Sequence, residues 1–304
     1  MNHGQPGYRR ISLGGLMTEV EIPDSPAVHP LEKRMRQVGR LVRNSLQSPN
    51  EETIHDLRVA LRRCRSFAAG IERLDPHKSW KKMLRQSGKL ARAVGCLRDT
   101  HVLQIWIDRL RRDPDPLADQ LTGILSADEE NHRRKSLQAL SRFDLDNWEF
   151  WKCVLPRRAA SLDPSATPFI LLAGETLDEF LSHHSGAVRT NDRFEWHTLR
   201  IILKRFRYIT EDFLTELASP WKESLSRIQG LLGEIHDLDM LEDRIRALGG
   251  LFERAERDAW IIMIDADRES RRRMYLNSMT GPKALWKTWK KALRPHGSMG
   301  KPSP

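Results

Sequence analysis

In the stretch Ile54-His55-Asp56-Leu57-Arg58-Val59-Ala60-Leu61-Arg62-Arg63-Cys64-Arg65, the apolar residues step by three and four. Ala68 and Ile71 continue the series, which places all of them on one face of an α-helix. A second stretch repeats the pattern: Trp196-His197-Thr198-Leu199-Arg200-Ile201-Ile202-Leu203-Lys204-Arg205-Phe206-Arg207, continued at Thr210 and Phe213. The two histidines are 142 positions apart (197 less 55). Farther along, Gly95-Cys96-Leu97-Arg98-Asp99 matches Gly233-Glu234-Ile235-His236-Asp237 at an offset of 138 (237 less 99). The same order at a similar offset implies an internal duplication. A period near 140 far exceeds the roughly 20–50 residues of a short helical repeat, so the copies are expected to be bundle-sized halves.

Prolines punctuate the rest of the chain. Pro30, Pro49, Pro76, Pro114 with Pro116, Pro156 to Pro168, Pro220 and Pro282 divide it into pieces of one or two helices each. Alternating apolar runs joined by Asn-Gly or Asp-Gly turns are absent from the sequence, which argues against strands. The expectation is an all-α protein, a pair of antiparallel helical bundles related by pseudo-twofold symmetry. A Gly/Pro/Ser-rich tail is expected over residues 1–28, the folded domain over 29–293, and a second tail over 294–304. Within the domain the first half is expected at about 29–160 and the second at about 168–293.

Composition narrows the class of protein. Of 304 residues, 51 are Lys or Arg against 41 Asp or Glu, a formal excess of +10. Nine Trp and nine Phe at helical spacing exclude disorder throughout, although charged residues make up 30%. No apolar run approaches the ~18 residues of a spanning helix. Cys64, Cys96 and Cys153 form an odd set with no CxxC and no zinc spacing, and no leader pattern opens the chain, so a reducing cytoplasm is expected. Cys64 falls at an apolar helical position and is expected to be buried. The paired Trp148/Trp151 and Trp286/Trp289 are expected to pack rather than to stack on a ligand. A basic chain of this kind calls for an anionic partner.

The cations are patterned. At about 100° per residue, His55, Arg58, Arg62 and Arg65 share an arc of roughly 80°, beside the apolar arc. His197, Arg200, Lys204 and Arg207 repeat this arrangement. Like charges at these spacings repel, and a merely solvated face would interleave acids. Neighbouring segments add Arg36, Arg40 and Arg43, then Lys82, Arg85, Lys89 and Arg92. Asp99 and Asp237 are expected to cap helices or to orient an arginine. If a symmetry axis brings the two repeated helices together, their stripes would line one central basic groove suited to a multivalent anion. Arginine's planar fork matches phosphate, and lysine adds a mobile charge. Histidines contacting phosphate would strengthen binding as the pH falls through roughly 6.5.

These residues closely resemble the CHAD family, the conserved-histidine α-helical domain. The matching pieces are IHDLRVALRRCR with GCLRDTHVL, and WHTLRIILKRFRY with LLGEIHDLDML. The resemblance implies two helical bundles around a basic cavity, binding of inorganic polyphosphate, and residence at polyphosphate granules. Carried over by position, the implied ligand contacts are His55, Arg58, Arg62, Arg65, His197, Arg200, Lys204 and Arg207, with Arg36, Arg40, Arg85 and Lys89 beside them. Arg63 and Arg205 are motif positions too, yet point away from the stripe on a helical wheel. His236 departs from the pattern, standing where the first half has Arg98.

Two alternatives stay open at this stage. The net charge alone permits a nucleic-acid binder, although Trp and Phe follow core spacing instead of forming an exposed stacking platform. His197 with His236-Asp237 is also similar to the metal set of HD-type phosphohydrolases, which Asp239 or Asp243 could complete. A two-residue match arises often by chance, and Arg98 stands in the equivalent place of the first half, where arginine cannot be a ligand. No P-loop, GxSxG elbow or HExxH is present. A binding module without catalytic residues, metal or cofactor is therefore the expected class.

Overall fold

The structure, a computed structural model, describes residues 28–48, 50–162 and 167–293. Every regular element among them is helical. In chain order these are α1 (Val28–Gln47), α2 (Glu51–Leu74), α3 (Lys78–Leu110), α4 (Pro116–Ser141), α5 (Leu145–Ala160), α6 (Thr167–Thr190), α7 (Arg193–Phe213), α8 (Thr215–Ala218), α9 (Lys222–Ala247), α10 (Arg254–Met279) and α11 (Leu285–Ala292). The all-α expectation holds. The expected tails lie outside the described residues, apart from Val28.

Two compact units form, and they do not follow the chain's two halves. One contains described residues 28–92 with 137–162, the other 93–136 with 167–293. Helices α3 and α4 thus each contribute to both units.

In the first unit, α1 packs on α2 and α5. The apolar series on α2 becomes core as its spacing dictates: Leu57, Leu61, Cys64, Ala68 and Ile71 are wholly buried, facing a core that includes Met35, Val38, Trp80 and Trp148. Asn50 starts α2 with a capping box: its Oδ1 accepts from Thr53 N (2.8 Å), and its own N–H donates to Thr53 Oγ1 (3.2 Å). The buried indoles are satisfied, Trp148 Nε1 donating to the Met35 carbonyl (3.0 Å) and Trp80 Nε1 to Asp75 (2.9 Å). Arg158 of α5 holds the same carboxylate at 2.7 Å. Trp151 is buried as well, as its spacing predicts.

In the second unit, α6 packs on α7, α7 on α9 and α9 on α10. One core cluster joins Trp106, Ile107, Leu117 and Leu121 to Leu238, Leu241, Ile245, Trp260 and Ile264. A second, aromatic part sets Trp196 edge-on to Tyr275 (5.2 Å) and Phe206 near Trp221 and Trp289. Asn191, at φ 54, turns the chain between α6 and α7; Asp192 then caps α7 by accepting from Glu195 N (3.1 Å).

Pro49 and Pro164 lie outside the described residues; among those described, the prolines lie at helix ends or between helices except for Pro156, which lies inside α5. It forfeits only the bond to the carbonyl four residues back, and α5 runs just four residues further. Burial of Leu155, Pro156 and Ala159 keeps that last turn in place.

Candidate polyanion-binding faces

The first basic face is the polar side of α2. Burial of Leu57, Leu61 and Cys64 turns His55 outward to the surface and leaves Arg58, Arg62 and Arg65 half-buried along the edge of the core. The stems of such arginines lie on apolar surface while the heads reach solvent. The Nε of Arg62 is buried without a hydrogen-bond partner among the described residues. Arg65 is committed to the fold: its Nη1 donates to the Leu84 carbonyl and to Ser87 Oγ (2.9 Å) on α3. Gly88 makes room for it, since a Cβ there would lie 3.0 Å from that same Nη1. Burial first, then the charge of Arg92, lowers the pKa of Arg65 below the ordinary guanidinium value.

The flanking cations divide in the same way. Arg40, Arg85 and Lys89 are exposed on α1 and α3, as are Lys82 and Arg92. Arg36 is exposed but paired with Glu32 one turn back, and Arg43 donates to Glu149 (2.7 Å). Arg63 is exposed.

The second basic face is the polar side of α7. His197, Arg200, Lys204 and Arg207 are all half-buried. Arg207, like Arg65 in the first unit, is held internally, donating to Glu211 (2.7 Å) and to Gln229 of α9 (3.3 Å). Arg205 turns toward α6 and pairs with Glu179. His197 lies against α9, its Nδ1 3.3 Å from Nδ1 of His236. Burial, reinforced by Arg200, His197 and Arg193, drives the pKa of His236 down to about 4, so it is neutral at pH 7. Asp237 moves the other way, up to about 6. Burial is the main cause and Asp99 and Glu234 add to it, while Arg200 and Arg98 oppose it.

At this face one of the two roles expected of Asp99 and Asp237 changes. Asp99 and Asp237 are in the interiors of α3 and α9, so neither caps a helix; Asp237 instead sits in the field of Arg200 and Arg98. Asp239 and Asp243, the acids that could have completed a metal set, are drawn into ion pairs. Arg193 reaches Asp239 (3.2 Å) and Asp243 (3.0 Å), and Arg268 reaches Asp239 (2.8 Å). No group of three or more His, Cys, Asp or Glu among the described residues is placed to hold a metal ion.

The residue pattern of the face did not reveal the clasp behind it. Asp239, Glu242, Arg268 and Arg272 are all buried, and Arg272 lies over the Trp196 ring at 5.5 Å. Arg193 joins this network one turn before His197 and also donates to the Asp239 carbonyl (2.9 Å), tying the start of α7 to α9 beside His236. A signal was there: Arg268 and Arg272 occupy positions in the buried stripe Trp260, Ile264, Tyr275, Met279 of α10, where an unpaired charge would be costly.

Fold and faces together define an all-helical protein that presents half-buried guanidinium and imidazole groups on two helices. The CHAD domain model matches residues 31–246, and the chain belongs to the CHAD family. That family is associated in general with polyphosphate binding, and a CHAD domain is generally a binding domain. Among solved structures, the chain is similar to the CHAD domain from the plant Ricinus communis, with 21% identity and a TM-score of 0.59, over 88% of this chain and 91% of that one. It is also similar to PptA from Streptomyces chartreusis, with 15% identity and a TM-score of 0.64, over 83% of this chain and 96% of that one. At these identities the likeness is one of fold. No curated protein matches the chain. Among the described residues, no helix is long and apolar enough to cross a membrane.

Proposed function

We propose that this protein binds inorganic polyphosphate on the cationic faces of α2 and α7, and that it acts as a non-catalytic partner of cytoplasmic polyphosphate granules. One observation carries the reading: the same His-x-x-Arg-x-x-x-(Arg/Lys) stripe stands on two helices, each backed by a buried apolar arc that fixes which way the cations face. Each face is a binding surface in its own right. Arg58, Arg62, Arg200 and Lys204 are the groups that meet phosphate oxygens, with His55 and His197 at the first turn of each stripe. Arg65 and Arg207 brace the faces from behind. Arg40, Arg85 and Lys89 extend the first field, which draws a polyanion and weakens with salt.

Isothermal titration with long-chain polyphosphate tests the proposal. Reversal of Arg58 or Arg200 to Glu removes a charge-assisted contact worth roughly 1.5–3 kcal/mol, about 10- to 100-fold in affinity, and adds a repulsion. The double variant Arg58→Glu/Arg200→Glu is expected to lose binding. Wild-type affinity in that variant would overturn the assignment of the faces. Competition with duplex DNA separates this reading from a nucleic-acid binder: polyphosphate is expected to displace DNA, and preference for DNA would reverse the conclusion.

A further inference from the structure

Gly233 stands near the middle of α9 and Gly95 near the middle of α3, at matching positions of the two halves. Glycine inside a helix destabilises it relative to alanine, because the unfolded chain keeps more freedom. Two needs of the fold could justify that cost, and neither applies. Gly281 is the one glycine with positive φ among the described residues, so Gly95 and Gly233 keep a backbone that any residue adopts. A Cβ built on either would meet no atom within 4 Å beyond its own stretch of helix backbone, unlike Gly88, where Arg65 fills the space.

The neighbours of Gly233 fix where it faces. Gln229 of α9 accepts from Arg207 (3.3 Å), and His236 lies against His197 with 3.3 Å between the Nδ1 atoms. These two contacts show α9 running antiparallel to α7. Gly233 follows Gln229 by four residues and precedes His236 by three, so it shares their side of the helix. That sets it level with the turn from Arg200 to Lys204, the part of the stripe assigned above to phosphate. On either side of this level a long side chain of α9 meets α7; between them α9 puts forward only the half-buried glycine. The result is a recess floored by bare backbone, with cations along one wall and the His197–His236 and Arg207–Gln229 contacts at its ends. Of the acids beside it on α9, Glu234 is drawn to Arg271 of α10 (3.0 Å), and Asp237 lies in the field of Arg200. Gly123 and Gly174 also open onto free space, but they stand on α4 and α6, which carry no part of the stripe.

We infer that Gly233 is a positioning residue for the polyanion: its missing side chain lets one phosphate of the chain settle against α9, within reach of both Arg200 and Lys204. The inference rests on the polyphosphate reading above and adds the element that sets how deep the ligand sits. A Cβ would hold the phosphate out by about one carbon–carbon bond, ~1.5 Å. Charge-assisted hydrogen bonds form at roughly 2.7–2.9 Å, so a lift of that size stretches the contacts to both cations at once.

The experiment uses the full chain carrying Arg58→Glu, so that the second face is read alone. Long-chain polyphosphate is titrated calorimetrically at pH 7.5, and thermal melts are taken on the same samples. Gly233→Ala is expected to melt about 2–4 °C higher, as a helix freed of its glycine should, while its affinity falls about 3- to 10-fold. Gly233→Leu, which fills the recess, is expected to stay folded and to lose about 10-fold or more. Gly123→Ala is expected to gain the same few degrees and to bind as the parent does. Parental affinity in Gly233→Leu would overturn the inference while leaving polyphosphate binding intact. A Gly233→Ala protein that melts below the parent would overturn it too, because the glycine would then serve the fold. So would an equal loss of affinity in Gly123→Ala, or loss of all binding on Arg58→Glu alone, since the second face would then not be a receptor. An unmutated protein that fails to bind polyphosphate would instead sink the underlying reading.

Discussion

Replacing Asp237 with Asn should stabilise the protein at neutral pH and leave it unchanged in acid. The carboxyl is half-buried inside α9, where loss of hydration, Asp99 and Glu234 outweigh the help of Arg200 and Arg98. Its folded-state value of about 6 stands above the ordinary 3.8, so the folded chain binds this proton more tightly than the unfolded one. For an acid shifted upward, the fold weakens as pH rises from about 4 through 6, and the penalty is constant above that. About two pKa units correspond to up to about 3 kcal/mol at pH 7. Asn keeps the shape and has no charge to bury. At roughly 2–4 °C per kcal/mol for a chain of this size, the melting temperature at pH 7.5 should rise by up to about 6–12 °C. Thermal unfolding by circular dichroism between pH 4 and 8 checks this: the gap between variant and wild type should open between pH 4 and 6 and then hold. A variant that melts at or below wild type at pH 7.5, or a gap of the same size at both ends, would refute the reasoning.

Removing the buried cation of the clasp acts in the opposite direction. Arg268→Ala removes the buried cation shared by Asp239 and Glu242, leaving them only Arg193 and Arg246, and should cost up to about 3–5 kcal/mol by denaturant unfolding at pH 7, less in acid where those groups take up protons. Arg62 and Arg65 should separate brace from ligand contact. Arg65→Met is expected to lose about 1.5–3 kcal/mol of stability with only a small change in polyphosphate affinity, and Arg62→Met to do the reverse; thermal melts and titration on the same samples decide.

Helical periodicity foretold most of the architecture because burial of an amphipathic face is a local consequence of residue order. The apolar sets of α2 and α7 are almost wholly buried, and Trp148, Trp151 and Trp289 pack as their spacing predicts. The outward turn of His55 and the diversion of Arg205 toward α6 follow from the same wheel. What a wheel does not show is which neighbour a cation meets. Arg65 and Arg207 sit within the basic arcs, yet a later helix supplies each with an acceptor, Ser87 of α3 in one unit and Gln229 of α9 in the other. The Arg193–Asp239–Arg268 clasp depends on approach of α7, α9 and α10, a long-range fact to which no short motif corresponds. The side-by-side histidines showed in the sequence only through a two-residue HD match, because the distance between them is set by helix packing.

The clustering of 93–136 with 167–293 means that the seam suggested by the repeat is not a place where the chain can be parted. Trp106, Leu117 and Leu121 come from the earlier segment, and Leu238, Ile245 and Trp260 from the later, yet they fill one cluster, with Asp115 accepting from the Trp260 indole at 3.2 Å. A fragment limited to 167–293 would open that apolar wall to water, and one limited to 28–162 would carry its other side unsheltered. Both halves of the gene build this one core, so recombination that exchanged one half for a distant cousin's would have to rematch both walls of that cluster at once.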